Sequence, residues 1–298
     1  YFHYCVFKDP SMPNYALEEA QLRGMPLHPL VIENYKHLTP GFRKSLEKLK
    51  EIFERAKSTT NPEELHNRTM DAMFALRNFV GEYNEAVRVK ILDSLSWRVW
   101  SEQKRHATLR QNVESIYSAA DRAYNIVKKL WPEIKKVHEE GEGEIPYEEL
   151  EKAIVIDERM KKNPQLAATY AYHTARQLMF YNKLLEEGFE ARDALYIVPK
   201  NIRVRTLENY DLVNLIDLEL PLRLCSTCEP ERQATSWEKR DAIIKVVPEI
   251  EYFLQPKCHL GFCTEGKYCG NITAQREQYT KDLHKEVKQV LLDRSREH

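Results

Sequence analysis

Apolar residues return every three or four positions along much of the chain, which is the spacing of amphipathic helices. One helix is predicted to start at Asn61-Pro62, and a long helix is predicted from Asn163-Pro164 to Leu185. Further helices are predicted over 115–130, 212–224, 237–254 and 275–294. The clearest apolar stripe follows the capping pair Thr39-Pro40 and consists of Phe42, Leu46, Leu49, Phe53 and Ala56.

Other segments have a less regular pattern. The apolar stretch 83–100 fits a strand followed by a helix, although periodicity alone leaves this open. Residues 195–204 read as extended around Pro199, and Trp131-Pro132 is expected to end the helix before it. Residues 139–147 are the best linker candidate. Together these patterns predict an α+β fold in which helices dominate.

Composition narrows the functional classes. The chain has 298 residues, of which 42% are hydrophobic, so it can bury a substantial core. Lys plus Arg total 45 against 46 Asp plus Glu, which gives no global basic field for nonspecific nucleic-acid binding. We find neither an apolar run of the ~18 to 20 residues that a membrane helix needs nor a secretory leader. A cytoplasmic location without membrane association is therefore expected.

A polar, cationic run extends from Arg105 to Ser115. Arginine presents a planar fork that matches phosphate oxygens, and His106 or Asn112 can bond a heterocycle or a ribose. Ser115 stands at a predicted helix start, where backbone N–H groups attract phosphate. The simpler interpretation of this run is a solvated turn between two helices. The nearby pair Trp97 and Trp100 could stack on a ring, but aromatic residues at helical spacing more often belong to a core.

Five of the six cysteines lie in the C-terminal quarter of the chain. Cys225 and Cys228 are separated by two residues, Cys258 and Cys263 by four, and Cys269 follows. Clustered thiolates of this kind favour tetrahedral zinc, with His259 as a substitute ligand. Packed thiols and disulfides remain alternatives for the same residues.

The run Arg105-His106-Ala107, seven residues and then Ser115 resembles the signature of the flavin-dependent thymidylate synthases, which is Arg-His-Arg, seven residues and Ser. Asn112 stands where that family often has Asn. Three positions depart from the family pattern, which usually has Arg at 107, Ser at 110 and Arg at 117. This chain instead has Ala107, Arg110 and Tyr117.

Two later segments extend the resemblance. Leu222-Arg223-Leu224-Cys225 is similar to the family's Leu-Arg-Leu-Cys run, and Trp237-Glu238-Lys239-Arg240 is similar to the Trp-Glu-Ile-Arg that follows it. The stretch 258–270 resembles the cysteine-containing tail of clostridial-type members. Ala191-Arg192 is similar to the family's Ala-Arg-x-x-Leu-Pro, with the proline displaced by three residues.

The resemblance implies an α/β core over 76–270, with an added helical extension over 1–75 and an amphipathic C-terminal helix over 271–298. It implies transfer of a one-carbon unit from methylenetetrahydrofolate to dUMP, with FAD and NADPH, in a homotetramer. It implies these roles: Arg105, His106 and Asn112 at the flavin; Ser115 and Arg223 as catalytic residues at the nucleotide; and Arg192, Glu238 and Arg240 as substrate-binding residues. Arg110, which departs from the family pattern, is expected to bind substrate because its added positive charge could serve a phosphate-rich partner.

Two other functions stay open at this point. The three departures within the signature are also typical of a diverged paralogue that binds a nucleotide or RNA without flavin chemistry. The third possibility is a metal-stabilised interaction protein, in which the cysteines hold zinc and the N-terminal helices form the partner surface.

Overall fold

A computed structural model describes residues 26–59, 61–104, 108–263 and 269. Helices dominate, and a small antiparallel sheet accompanies them, so the predicted α+β class is confirmed. The strands and helices are β1 (Leu30–Lys36), α1 (Pro40–Ser58), α2 (Pro62–Tyr83), β2 (Val87–Ser96), α3 (Trp97–Gln103), β3 (Arg110–Val113), α4 (Ile116–Glu140), α5 (Tyr147–Leu150), α6 (Glu158–Lys161), α7 (Pro164–Glu186), α8 (Ala191–Ala194), β4 (Arg203–Asp211), α9 (Leu212–Ile216), α10 (Glu219–Arg223) and α11 (Pro230–Val246).

Short 3-10 turns join several of these elements, at Asn84–Ala86, Leu195–Ile197, Pro248–Phe253 and Lys257–Leu260. The four strands form one sheet in the order β1-β2-β4-β3. The chain divides into two compact units. The first unit contains the described residues up to 32 together with 91–208, and the second contains 33–90 together with the residues after 208. The division therefore falls inside β1, β2 and β4. The predicted boundaries after residues 75 and 270 stay a prediction.

The core of the first unit lies between α4 and α7, which pack along their lengths. Small residues permit the close approach, since Ala119, Ala123, Ala171 and Ala175 are all fully buried. The prediction that Pro132 ends the first of these helices is wrong, because α4 continues through it to Glu140. Beyond the proline, Ile134 and Val137 are buried in the core, and this packing outweighs the backbone hydrogen bond that proline cannot donate.

The second unit has an aromatic core. The ring of Phe42 lies 5.3 Å from that of Phe79, and the ring of Phe53 lies 5.6 Å from that of Phe253. The predicted stripe of α1 is confirmed, since each of its five apolar residues is buried. The predicted cap is confirmed too: the Thr39 hydroxyl accepts a hydrogen bond from the backbone N–H of Phe42 at 3.1 Å.

Several boundaries differ from the prediction for local reasons. The stretch 83–100 does contain a strand followed by a helix, β2 and α3. The helix predicted over 212–224 is two short helices, α9 and α10, and the one predicted from 237 begins at Pro230 and ends at Val246. Residues 195–204 are not wholly extended, since a 3-10 turn occupies Leu195–Ile197. The predicted tail helix over 275–294 lies outside the described residues.

Candidate functional site

Residues Arg110–Val113 of the polar run form an edge strand, and the long helix begins directly after Ser115. Arg110 and Asn112 are exposed on β3, whereas Arg105 and His106 lie outside the described residues. Ser115 is the N-cap of α4, but its hydroxyl makes no capping bond. The Oγ atom is buried and has no hydrogen-bond partner within the described part of the chain. It lies at the positive end of a 25-residue helix.

An ion pair fixes the backbone at this helix start. The guanidinium of Arg122 donates to both carboxylate oxygens of Glu114, at 3.2 and 2.6 Å. It also donates to the carbonyls of Lys152 and Arg203, each at 2.9 Å. The backbone of Arg205 completes the arrangement, because its N–H donates to Glu114 at 3.1 Å and its carbonyl accepts from the Glu114 N–H at 2.9 Å. Ser115, the next residue, is thus held in place by a buried network.

A cavity of about 460 Å³ lies next to this helix start, within the first unit. Tyr117, the tyrosine that departs from the family signature, is buried in its wall. Burial raises the pKa of the Tyr117 hydroxyl, although the positive charge of Arg192 opposes the shift. The structure thus brings Arg192 and the start of α4 together at one cavity. The lining residues are Trp97, Ile116, Tyr117, Arg192, Leu195, Tyr196 and Val198.

Arg192 is the cation of this cavity and is only loosely held. Its side chain is 71% exposed and lies 3.7 Å from a carboxylate oxygen of Glu190 and 3.3 Å from one of Asp193. Ion pairs at such exposure contribute little stability, so an entering anion can compete for the guanidinium. Its fork can bind two oxygens of a phosphate.

Sequence reasoning missed two residues of this cavity. Trp100 is buried as expected, but Trp97 is only partly buried and lines the cavity, so the core interpretation holds for one member of the pair. Tyr196 was not singled out at all, and it is 92% exposed on the 3-10 turn that follows Arg192. The turn falls where the proline of the Ala-Arg-x-x-Leu-Pro motif is displaced by three residues. This displacement was the sequence signal that could have pointed to Tyr196.

Arg223 belongs to the second unit, at the end of α10. Its Nε atom donates to Glu219, one turn earlier, at 2.9 Å, and Glu219 is fully buried. Its Nη2 atom is buried and finds no hydrogen-bond partner among the residues that the structure describes. The guanidinium is thus oriented by a carboxylate, and its charge and a side-chain hydrogen bond also act on the Cys228 thiol.

The other two predicted substrate residues differ in their surroundings. Glu238 is exposed on α11. Arg240 donates to the carbonyl of Leu254 at 2.7 Å and to the carboxylate of Asp241 at 2.9 Å, with its guanidinium 5.4 Å from the ring centre of Trp237. These contacts tie α11 to the turn after it, which is a structural role. Since Ser115 and Arg192 belong to the first unit and Arg223 to the second, their predicted convergence stays a prediction.

The cysteines of the second unit lie near one another. Burial, with the negative charges of Cys225, Cys263 and Cys269, raises the pKa of the Cys258 thiol to about 11. Burial also raises the pKa of Cys228, against the positive charge of Arg223. However, across 26–59, 61–104, 108–263 and 269 no group of three or more His, Cys, Asp or Glu side chains could hold a metal ion. The predicted zinc site on Cys225, Cys228, Cys258, Cys263 and Cys269 is therefore not supported.

We expect the Cys258 thiol to react slowly with iodoacetamide at pH 8. Alkylation requires the thiolate, and raising the pKa from 9.0 to about 11 lowers the thiolate population by about 100-fold at this pH. The rate should rise about tenfold for each pH unit up to about 11. Peptide mapping by mass spectrometry measures it, with the exposed Cys269 as the internal comparison. Equal rates for both cysteines at pH 8 would contradict the assignment.

The fold and the cavity define an α+β protein in which one arginine, Arg192, lines a cavity at the start of a long helix. The profile of the family described as thymidylate synthase complementing protein matches residues 91–249, which is more than half of the chain. The chain belongs to this family.

Curated relatives agree with this assignment. The chain is 29% identical over 145 residues to a flavin-dependent thymidylate synthase of Pyrococcus abyssi, a match covering 46% of this chain and 59% of that protein. It is 29% identical over 124 residues to one of Thermococcus onnurineus, covering 40% and 50%. The chain thus spans roughly half of the length of these relatives. Among solved structures, a thymidylate synthase X of Helicobacter pylori with FAD and dUMP aligns with a TM-score of 0.45 and 16% identity, covering 78% of this chain and 99% of that one.

A search of the described helices for a segment both long and apolar enough to cross a membrane finds none.

Proposed function

We propose that this protein is an enzyme of the flavin-dependent thymidylate synthase type, which binds dUMP and FAD and methylates the uracil ring at C5. The observation that carries the proposal is the cavity at the start of α4, where Arg192 and the helix N-terminus converge beside Ser115. A cation and a helix start at one cavity are the features that a phosphate monoester requires.

In this proposal the dUMP phosphate lies against the first turn of α4. The backbone N–H groups of a first helical turn have no partners within the helix, and the helix dipole adds positive potential there. The Ser115 hydroxyl is proposed to donate to a phosphate oxygen, which is supported by its place at the helix start and by the lack of another partner among the described residues. The Arg192 guanidinium then closes the site with two parallel hydrogen bonds.

Arg223 is proposed to act on the pyrimidine ring. When a nucleophile or hydride adds at C6 of uracil, negative charge develops over C5 and the C4 carbonyl oxygen, and a fixed guanidinium beside the ring lowers the barrier by opposing that charge. Glu219 supports this role because it holds Nε at 2.9 Å and so fixes the orientation of the guanidinium. Arg240 and the exposed Glu238 stay in the proposal as substrate-binding residues by resemblance alone. The exposed Arg110 stays in it because of its charge.

The flavin is proposed to bind at Arg105, His106 and Asn112. The bound flavin, once reduced by NADPH, supplies the hydride of the reaction. The chain's own contribution at this place is a set of hydrogen-bond donors, of which the exposed Asn112 side chain is one. Methylenetetrahydrofolate as the one-carbon donor, a homotetrameric assembly and a cytoplasmic location complete the proposal.

A second candidate function is nucleotide binding without flavin chemistry. The observation that favours it is Tyr117, which is buried at the cavity where the family has an arginine. A tyrosine hydroxyl supplies one hydrogen bond but no charge. The binding of the phosphate then depends on Arg192 and the helix start.

Three measurements on the purified full-length chain distinguish these functions. Absorbance at about 450 nm, a general property of oxidised flavins, shows whether the protein carries FAD as purified or takes up FAD that is added. Isothermal titration reports dUMP binding. Release of tritium from C5 of labelled dUMP, with methylenetetrahydrofolate and NADPH, reports methylation, because the C5 hydrogen must leave. Tritium release supports the enzyme, and dUMP binding without flavin uptake supports the second candidate. A protein that binds no dUMP contradicts both.

A further inference from the structure

We propose that Tyr196 contacts the nucleotide directly, by covering the ring system of the bound ligand against Trp97. This inference rests on the proposed function of the 460 Å³ cavity and adds an aromatic contact to it. Neither residue belongs to the motifs that carry the family resemblance. Tyr196 stands in the stretch by which the proline of the Ala-Arg-x-x-Leu-Pro motif is displaced, and the motif itself does not include it.

Tyr196 and Arg192 belong to one continuous turn, and both line the cavity. The α8 helix leads without a break into the 3-10 turn Leu195–Ile197, because the Leu195 N–H bonds to the Ala191 carbonyl. The turn is closed by the Val198 N–H, which donates to the Leu195 carbonyl at 3.1 Å. The two residues are four apart on this compact turn and share the cavity as lining residues. A ligand whose phosphate reaches Arg192 therefore passes the phenol ring of Tyr196.

Trp97 forms a fixed wall of the same cavity. Its indole stacks on that of Trp100, with ring centres 5.1 Å apart and planes inclined by 27°. Trp100 is only 4% exposed and belongs to the core of the first unit. The Trp97 backbone is anchored as well, since its N–H donates to the Ile202 carbonyl at 2.9 Å. Trp97 thus needs little reordering when a ligand stacks on it.

Exposure separates Tyr196 from the tyrosines of the core. Its side chain is 92% exposed, so folding gains almost nothing from the ring. The remaining lining is apolar at Ile116, Leu195 and Val198, and it supplies one cation, Arg192. Such a lining suits a planar ring carrying one anionic group, which is the chemistry of a nucleoside monophosphate. Tyr196 gains buried area only when the ring of this ligand is present.

The first test measures dUMP affinity of the full-length protein by isothermal titration. We expect Tyr196→Ala to raise the dissociation constant about tenfold, in the range found for aromatic–base stacking, and Tyr196→Phe to stay within about twofold because the ring is kept. Phe189→Ala is the matched control, since Phe189 is 54% exposed and lies outside the residues that line the cavity. Unchanged affinity in Tyr196→Ala overturns the inference.

The second test detects the contact without a mutation. Tetranitromethane nitrates exposed tyrosines, and we expect saturating dUMP to protect Tyr196 while Tyr35, which is 53% exposed, reacts equally with and without dUMP. Nitration of Tyr196 that dUMP does not slow overturns the inference and leaves the proposed function standing, provided that the wild type binds dUMP. Failure of the wild type to bind dUMP overturns the proposed function, and this inference with it.

Discussion

Replacing Arg192 with alanine is expected to weaken dUMP binding by about 30-fold, which corresponds to about 2 kcal/mol for a hydrogen-bonded charge pair with phosphate. The guanidinium is the only cation among the residues that line the cavity. Isothermal titration at low salt measures the change, and the affinity of the wild type should fall as salt is added while that of Arg192→Ala should fall less.

The folded structure should tolerate this substitution, because the Arg192 side chain is 71% exposed and its contacts to Glu190 and Asp193 are local. Arg192→Lys should recover part of the affinity, since lysine keeps the charge but loses the planar fork. Arg159→Ala is the matched control: its side chain is 74% exposed in the same unit and pairs with Asp157 at 2.7 Å, but it does not line the cavity. If Arg192→Ala binds dUMP as tightly as Arg159→Ala does, the phosphate does not bind in this cavity.

The sequence predicted those features that depend on neighbouring residues. The start of α1 follows from a threonine cap and a proline in the first turn, and its buried face follows from a spacing of three and four. The start of α4 next to Ser115 was predicted as well, as the beginning of a helix over 115–130. Such signals are local, so they can be read without knowing what the element packs against.

The features that the sequence did not reveal depend on packing between distant segments. Pro132 is a strong local signal for a helix end, but the stacking of Trp131 on Tyr172 and the burial of Ile134 favour continuation of the helix. The cavity also depends on distant segments, since Tyr117 on α4 and Arg192 on α8 come together only in the folded unit. The resemblance named Arg192 as a ligand residue, but only the fold shows that Tyr117, Trp97 and Tyr196 share its cavity.

Clustered cysteines illustrate the limit of spacing as evidence. The spacing of two cysteine pairs and a fifth cysteine suggested zinc. The negative charges of three other cysteines do help to raise the pKa of the Cys258 thiol. Zinc needs four ligands at fixed distances and angles, which spacing along the chain does not specify. The described part of the chain offers no such set.

The largest effect on stability is expected from Arg122→Ala, which should lower the free energy of unfolding by about 3 kcal/mol, in the range for breaking a buried ion pair. Glu114 would be left as a carboxylate that is only 5% exposed, and the carbonyls of Lys152 and Arg203 would each lose a donor. The Arg205 N–H still donates to Glu114 at 3.1 Å, which keeps the expected loss at the lower end of the range. Urea unfolding measures the change.

Glu114→Gln in the Arg122→Ala background provides the diagnostic comparison. If the loss arises from an uncompensated buried charge, removing that charge should restore part of the stability, so the double variant should be more stable than Arg122→Ala alone. Lys183→Ala, which removes an exposed pair with Glu187 on α7, should change stability by less than about 1 kcal/mol. Because Ser115 directly follows Glu114, Arg122→Ala should also weaken dUMP binding. A variant as stable as Lys183→Ala would mean that other contacts hold the start of α4, and the network would lose its assigned role.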